Sequence, residues 1–269
     1  MEVEEFGSPD WKKALEAVGL SGFEALWDLD LPLFEPPNRR RGGTSSVARL
    51  TAAGIDTALF LKRQTDHASR SLVHPLRGEA TAAREWRNLR ALARLGLEVA
   101  EPVYFGLRRR DGRLRAILVT AEVRDARPLD DWLRERATAS PGRRRPVLHA
   151  LARAVRRLHD AGYRHGALYP KHLFVGERGE GHDPVIRWID LESCRLTPFR
   201  RRAALRDLDA LNRRTQGATR SDRMVFLKAY LGEPDKSRHR RRWVKALLGR
   251  SDRKAGRRSD RAGAETAGD

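Results

Sequence analysis

Residues 165–175 read HGALYPKHLFV. The spacing of His165, Leu168 and His172 matches the frame H-x-D-L-x-x-x-N of a phosphoryl-transfer loop. In that frame the Asp takes the proton of the acceptor hydroxyl and the Asn holds a metal ion. Here the Asp slot is Ala167 and the Asn slot is His172. Alanine neither accepts a proton nor orients a hydroxyl, so the frame is present without its base. Further along, WIDLES delivers Asp190 and Glu192 from an apolar run. Two carboxylates there suit a hard cation that prefers oxygen, although acidic residues also simply close a strand. Upstream, the apolar run TALFLKR ends at Lys62. A phosphate-binding lysine needs a carboxylate to orient it, and Glu85 on the next helix supplies one, with Glu79 as a rival. Gly42, Gly43 and Ser45, in NRRRGGTSSVARL, let a backbone approach a phosphate closely and add a donor. The run is not G-x-G-x-x-G, and two glycines also make an ordinary turn.

These residues need elements to position them. DWKKALEAVGLSGFEALWDL has helical spacing with Asp10 as an N-cap. SSVARLTAAGIDTALFLKRQ predicts two strands joined near Gly54–Asp56, the second ending at Lys62. Glu79 to Leu95 predicts an amphipathic helix with Trp86, Leu89, Leu92 and Leu95 on its buried face, stopped by Gly96. Two more strands flank a turn at Asp111-Gly112. Helices follow at PLDDWLRER and at RRPVLHALARAVRRLHDAGY, the latter ending at Gly162. The 165–175 loop runs into a strand, a turn spans Gly179 to Pro184, and VIRWIDLES forms another strand. Further helices run from about Arg202 to Tyr230. No internal repeat is present.

The 269-residue chain suits one large domain or two lobes around a cleft, and 40% hydrophobic residues allow a packed core. The sequence holds no apolar run long enough to span a membrane. The acidic start MEVEEFGSPDW does not read as a secretory signal. The single cysteine, Cys194, forms neither an intrachain disulfide nor a metal cluster, which suits a reducing cytoplasm. The net charge of +19 admits three readings: nucleic-acid binding, attachment to an anionic membrane, or an arginine-rich composition. No aromatic interleaving or zinc-finger spacing supports specific nucleic-acid recognition, so no specific nucleic-acid partner is expected. In RRRWVKALLGR, Trp243, Val244, Leu247 and Leu248 share one side among Arg and Lys. That helix either lies on an anionic membrane surface or, the favoured reading, packs on the core.

With these residues in view, the chain resembles the lipopolysaccharide core kinases of bacteria, the Kdo/heptose kinase group, and within it the InaA-like branch. The likeness is carried by NRRRGGTSSVARL, FLKRQ, EWRNLRAL, HGALYPKHLFV, IDLES and LRDLDALNRRT. The spacing H-x-x-x-Y-x-x-H of His165, Tyr169 and His172 distinguishes it from ordinary protein kinases. The resemblance implies an α+β, two-lobed protein-kinase-like fold, with a β-rich N-lobe containing one long helix and a mainly helical C-lobe. Its divisions are an N-terminal helical extension (1–37), the N-lobe (38–124), the C-lobe (125–248) and a basic disordered tail (249–269). ATP and Mg2+ are the implied cofactors, bound near Gly42, Gly43 and Ser45. Lys62 contacts the α/β-phosphates and Glu85 orients it; His172 takes the second metal slot and Asp190 holds magnesium. His165 packs the loop, and Asp207 is a buried carboxylate accepting backbone N–H bonds from it. The implied reaction is phosphorylation of a sugar of the lipopolysaccharide core, or of a related glycolipid, in the cytoplasm, with peripheral contact at the anionic inner membrane. Ala167 departs from the family's Asp. General-base help is worth roughly 10²- to 10⁴-fold, so its loss predicts a slow enzyme, or else a pseudokinase that binds nucleotide without turnover. Tyr169, Lys171 and Glu192 are candidates to replace the Asp.

Overall fold

The structure is a computed structural model that describes residues 2–40, 42–69, 78–136, 141–177, 183–232, 238 and 240–250. The chain divides into two compact units, 1–124 with 187–193, and 125–186 with the chain from 194 onward.

The first unit is built on a six-stranded antiparallel sheet. In chain order it contains β1 (Val3–Phe6), α1 (Pro9–Ala17), α2 (Phe23–Trp27), β2 (Asn38–Arg40), β3 (Gly43–Leu50), β4 (Leu59–Thr65), β5 (Ala68–Ser69), β6 (Glu79–Ala80), α3 (Thr81–Arg94), β7 (Glu98–Val99), β8 (Pro102–Arg110) and β9 (Arg113–Ala121). The sheet order is β1-β8-β9-β4-β3-β2. Side chains alternate across a strand, so one face of β4, β8 and β9 supplies Leu59, Leu61, Tyr104, Ile117 and Val119. These form a core with Leu15, Phe23 and Leu26 of α1 and α2. The opposite face meets α3, where Trp86 stacks on Phe105 with centroids 5.9 Å apart. The β8–β9 turn, Asp111-Gly112, has both residues at positive φ (52° and 75°), as the tight hairpin turn requires.

Several boundaries differ from the sequence reading. The expected helical extension also contains a strand, because Val3–Phe6 pair with Leu107–Tyr104 and complete the edge of the sheet. Ser8, not Asp10, caps α1, its hydroxyl accepting from the Trp11 amide at 3.2 Å. Asp10 lies in the first turn, where a negative charge faces the positive end of the helix dipole. The long helix starts at Thr81 rather than Glu79, which belongs to β6. Leu95 is the C-cap of that helix and 42% exposed, since Gly96 (φ 71°) turns the chain away there.

The second unit is mainly helical. It comprises β10 (Ala126–Pro128), α4 (Leu129–Glu135), α5 (Pro141–Asp160), β11 (Tyr163–Arg164), a 3₁₀ turn at Pro170–His172, β12 (Leu173–Glu177), the start of β13 (Pro184–Trp188), β14 (Arg195–Leu196), α6 (Arg200–Arg214) and α7 (Arg220–Leu231). Residues 240–250 are helical. Trp243 is buried with its ring 5.9 Å from that of Tyr230, so this helix packs on the unit as the last element among the described residues. Gly249 and Arg250 therefore belong to a helix rather than a tail. The expected tail beyond them, and most of the Gly179–Pro184 turn, lie outside the described residues.

The segment 187–193 falls within the span expected for the C-lobe, yet it packs with the first unit. Arg187 and Trp188, at the end of β13, pair in parallel with Glu98 and Val99, and the residues beyond are held by α3.

Candidate active site

In the first unit, Lys62 sits in β4 between β3 and β9, opposite Val47 and Leu118. Its neighbour Leu61 faces the core, so the two-residue period turns Lys62 toward α3. There Nζ lies 2.6 Å from Glu85 Oε2, 3.9 Å from Asp190 Oδ1 and 3.8 Å from Glu192 Oε2. Glu85 is therefore the partner. The rival Glu79 pairs with Arg87 instead. Burial works against the Lys62 charge, but the carboxylates of Glu85, Asp190 and Glu192 outweigh it and hold the ammonium protonated well above the usual lysine range. Burial, with Asp190 and Glu192 close by, pushes Glu85 up to about 7, against the pull of Lys62.

The helix holds the acidic segment through a buried polar stripe. Thr81, Arg84, Glu85 and Asn88 follow i, i+3, i+4, i+7, and all four are buried. Asn88 Nδ2 donates to the Leu191 carbonyl (2.8 Å), the Leu191 amide donates to Glu85 Oε1 (3.3 Å), and Arg84 Nε donates to the Glu192 carbonyl (2.5 Å). This grip keeps Asp190 in the left-handed region, φ 57°. Such a conformation in a non-glycine residue costs on the order of 1–3 kcal/mol and persists only where its surroundings over-determine it. Asp190 thus lies just past the end of β13 rather than in a strand.

Gln64, 1% exposed, joins the sheet to the start of α3. Its Oε1 accepts from the Ala82 amide (2.9 Å), and its Nε2 reaches Thr81 Oγ1 (2.9 Å) and Ser45 Oγ (3.3 Å). The helix N-terminus, which has no side-chain cap of its own, is capped from a neighbouring strand. Thr81 Oγ1 also lies 2.9 Å from His67 Nδ1 and 3.3 Å from Glu192 Oε2. Ser45 is therefore tied into the network that ends on the acidic segment. Gly43 opens β3, and a Cβ there would fall 2.4 Å from the Asp66 carbonyl. Gly42, at φ 79°, makes the turn before it. Gly43 is required by this tight approach of chain to chain, and Gly42 by its left-handed backbone.

Glu85, Asp190 and Glu192 each offer an oxygen within 4.8 Å of the others. Glu85 accepts from Lys62 and Leu191, and Asp190 and Glu192 are the less buried carboxylates of the three, of the oxygen type that suits a hard divalent cation. That donor set fits magnesium.

In the second unit, the loop is held by Asp207, 1% exposed on α6. The His165 amide donates to Asp207 Oδ2 (2.6 Å) and the Gly166 amide to Oδ1 (3.0 Å), the backbone anchoring expected of it. His159 Nε2 lies 3.3 Å from the same carboxylate, and its Nδ1 lies 2.9 Å from Tyr230 Oη. The Ala167 amide donates to His165 Nδ1 (3.3 Å), and the Ala167 carbonyl accepts from His172 Nδ1 (3.0 Å). Tyr169 tilts against His172 with centroids 5.4 Å apart, and Arg214 covers Tyr169 at 4.8 Å. The loop backbone is thus held from both sides of the position where the Asp is missing.

The sequence reading did not single out Thr81, Arg84, Asn88, Gln64 and His67. A polar stripe on an amphipathic helix reads as a solvated face. The i, i+3, i+4, i+7 recurrence of hydrogen-bonding side chains, with the core residue Leu89 four residues after Glu85 on the same helix face, was the available signal.

Comparison with known proteins agrees with this arrangement. Residues 24–230 match the model of the lipopolysaccharide kinase (Kdo/WaaP) family. Protein InaA of Escherichia coli (strain K12) is 29% identical over 202 residues, covering 74% of this chain and 91% of that protein. The lipopolysaccharide core heptose(I) kinase WaaP of Pseudomonas aeruginosa is 32% identical over 165 residues, 57% of this chain and 60% of that protein. A solved structure described as WaaP in complex with acyl carrier protein superposes with a TM-score of 0.68 at 25% identity, over 95% of this chain and 98% of that one. The two-part α+β architecture is therefore the protein-kinase-like fold. A β-sheet unit whose lysine is paired to a helix glutamate, a helical unit whose loop has the H-x-x-x-Y-x-x-H spacing, and a family match across both together lead to one conclusion: the chain belongs to the lipopolysaccharide kinase (Kdo/WaaP) family.

Proposed function

We propose that the protein is a slow ATP-dependent phosphotransferase acting on a sugar hydroxyl of the lipopolysaccharide core or a related glycolipid. The observation that carries this reading is the Lys62 ammonium, 2.6 Å from Glu85 and 3.9 Å from Asp190. One positive group that grips phosphates is thereby held beside a carboxylate suited to a phosphate-bridging cation. In this reading Lys62 binds the α/β-phosphates, and Glu85 orients it. Asp190, with Glu192 beside it, holds Mg2+, which supplies charge neutralisation for the transferred phosphoryl group. The Gly42-Gly43 turn and Ser45 border the phosphates, His165 stays structural, and His172 occupies the second metal slot. Most catalysis in phosphoryl transfer is positioning and electrostatics, so the loss of one base at Ala167 lowers the rate without removing the chemistry. Tyr169, Lys171 and Glu192 are the candidates to take over the orientation of the acceptor. The reaction belongs on the cytoplasmic side, where ATP is available, with the acceptor at the inner membrane.

Ala167 also favours a second reading, a pseudokinase that binds nucleotide and does not turn over. Thermal unfolding with ATP and Mg2+, followed by a radiolabel-transfer assay on core oligosaccharide, separates the two. A rise in melting temperature with transfer supports the enzyme, and a rise without transfer supports the regulatory module. No rise at millimolar ATP would remove both.

A further inference from the structure

The second unit contains a cationic pocket that the nucleotide chemistry does not use. β11 and β14 pair so that Arg164 stands directly opposite Arg195. Like charges placed opposite each other across a strand pair repel and destabilise it. The pocket beside them, about 240 Å³, is lined by Arg164, Arg195, Thr197, Arg202 and Arg206, and no carboxylate lines it. α6 begins at the same place with Arg200, Arg201 and Arg202, without an acidic residue in its first turn and without a side-chain cap. A helix N-terminus is already electropositive, so three arginines there oppose the helix dipole. Burial, together with Arg202, Arg164 and Arg250, holds Arg206 below the usual arginine range.

Among the described residues, the acids near this charge already hold other partners. Asp207 Oδ1 is 3.8 Å from Arg164 Nε, but the Asp207 carboxylate already accepts from the amides of His165 and Gly166. Asp209 is within reach of Arg213 and Arg250. Two large apolar side chains, Leu196 and Phe199, border the pocket and are each 67% exposed.

Convergent arginines and an uncapped helix start fit a phosphate group. Exposed Leu and Phe at the rim fit the apolar part of the molecule that carries it. We infer that Arg164, Arg195, Arg202 and Arg206 with the start of α6 form a binding site for the phosphate headgroup of an anionic membrane lipid, whose hydrocarbon Leu196 and Phe199 cover. The membrane contact is therefore made here, not by the 240–250 helix, whose Trp243 is buried in the unit.

The test uses the full-length protein and sedimentation with phosphatidylcholine vesicles, with and without phosphatidic acid, at physiological salt. The parent binds only the vesicles containing phosphatidic acid. The exposed pair Arg195→Glu with Arg202→Glu weakens binding roughly tenfold or more. A matched pair in the other unit, Arg94→Glu with Arg109→Glu, leaves it close to the parent. Leu196→Ser with Phe199→Ser also weakens binding, and millimolar inorganic phosphate does not abolish it. The neutral pair Arg195→Gln with Arg202→Gln, melting like the parent, separates loss of binding from loss of folding. Equal loss in both charge-reversed pairs would reduce the effect to net charge and overturn the inference. So would equal binding to pure phosphatidylcholine, or complete competition by inorganic phosphate with the Leu196/Phe199 pair unaffected. The readout needs neither ATP nor turnover, so its failure leaves the proposed phosphotransfer standing.

Discussion

Replacing Lys62 by Met isolates the interaction on which the site is organised. The Lys62 side chain is 17% exposed and that of Glu85 5%, with their charged groups at 2.6 Å. Methionine keeps most of the volume and removes the charge, leaving Glu85, Asp190 and Glu192 within 4.8 Å of one another. Removing one partner of a buried pair costs roughly 3–5 kcal/mol, because the other charge is left uncompensated. For a chain of this size that corresponds to a fall in Tm of roughly 6–20 °C. The cost depends on pH. Glu85 is already pushed up to about 7 in the parent, and losing the opposing cation raises it further. A carboxyl whose folded-state pKa is raised makes the fold most stable while it is protonated, and stability falls as pH rises through that value. The variant is therefore expected to lose most against the parent at pH 8 and little at pH 5. Adding Glu85→Gln to Lys62→Met should restore part of the loss at pH 8. The measurement is urea or thermal unfolding of parent, single and double variants from pH 5 to 9, with ATP and Mg2+ titrated in parallel. An equal melting temperature for parent and Lys62→Met at both pH extremes would show that the pair is not energetically coupled and would refute the electrostatic argument.

Ala167→Asp restores a proton acceptor to a loop whose backbone is already held by Asp207, His165 and His172. It should raise phosphotransfer by roughly 10²- to 10⁴-fold in a single-turnover assay, and an unchanged rate on an accepted substrate would show that another group already fills the role. Asp207→Asn removes the charge from two hydrogen bonds at 2.6 and 3.0 Å; bonds to charged groups are worth roughly 1.5–3 kcal/mol each. Chemical denaturation should show a loss of that order, and hydrogen exchange at the His165 and Gly166 amides should accelerate; amides as protected as in the parent would contradict the anchoring.

Much of the fold was legible in the sequence because it is written in local periodicity. The apolar run that places Lys62 in β4, the helix carrying Glu85 and its stop at Gly96, and the Asp111-Gly112 hairpin each follow from side-chain alternation, helical spacing and backbone permissiveness, although β4 continues past Lys62, its expected end, to Thr65. Boundaries were missed where a distant partner decided them. β1 exists because β8 offers an open edge, and residues 79–80 leave the helix pattern because they pair with Ala68–Ser69.

The composition of the site was likewise readable: a lysine in an apolar strand, a helix glutamate, two carboxylates in IDLES, and a loop that keeps its spacing but has alanine in place of its base. Tertiary structure alone decided which glutamate meets Lys62, because the pairing of Glu79 with Ser69 takes it out of the helix that carries Glu85. It also turned the stripe Thr81, Arg84, Glu85 and Asn88 from a solvated surface into the clamp that holds Asp190 in a left-handed conformation. Periodicity tells which side chains share a face. Whether that face meets water or a returning segment over a hundred residues away (|i−j| 103 for Asn88 and Leu191) depends on long-range packing, which no local pattern encodes.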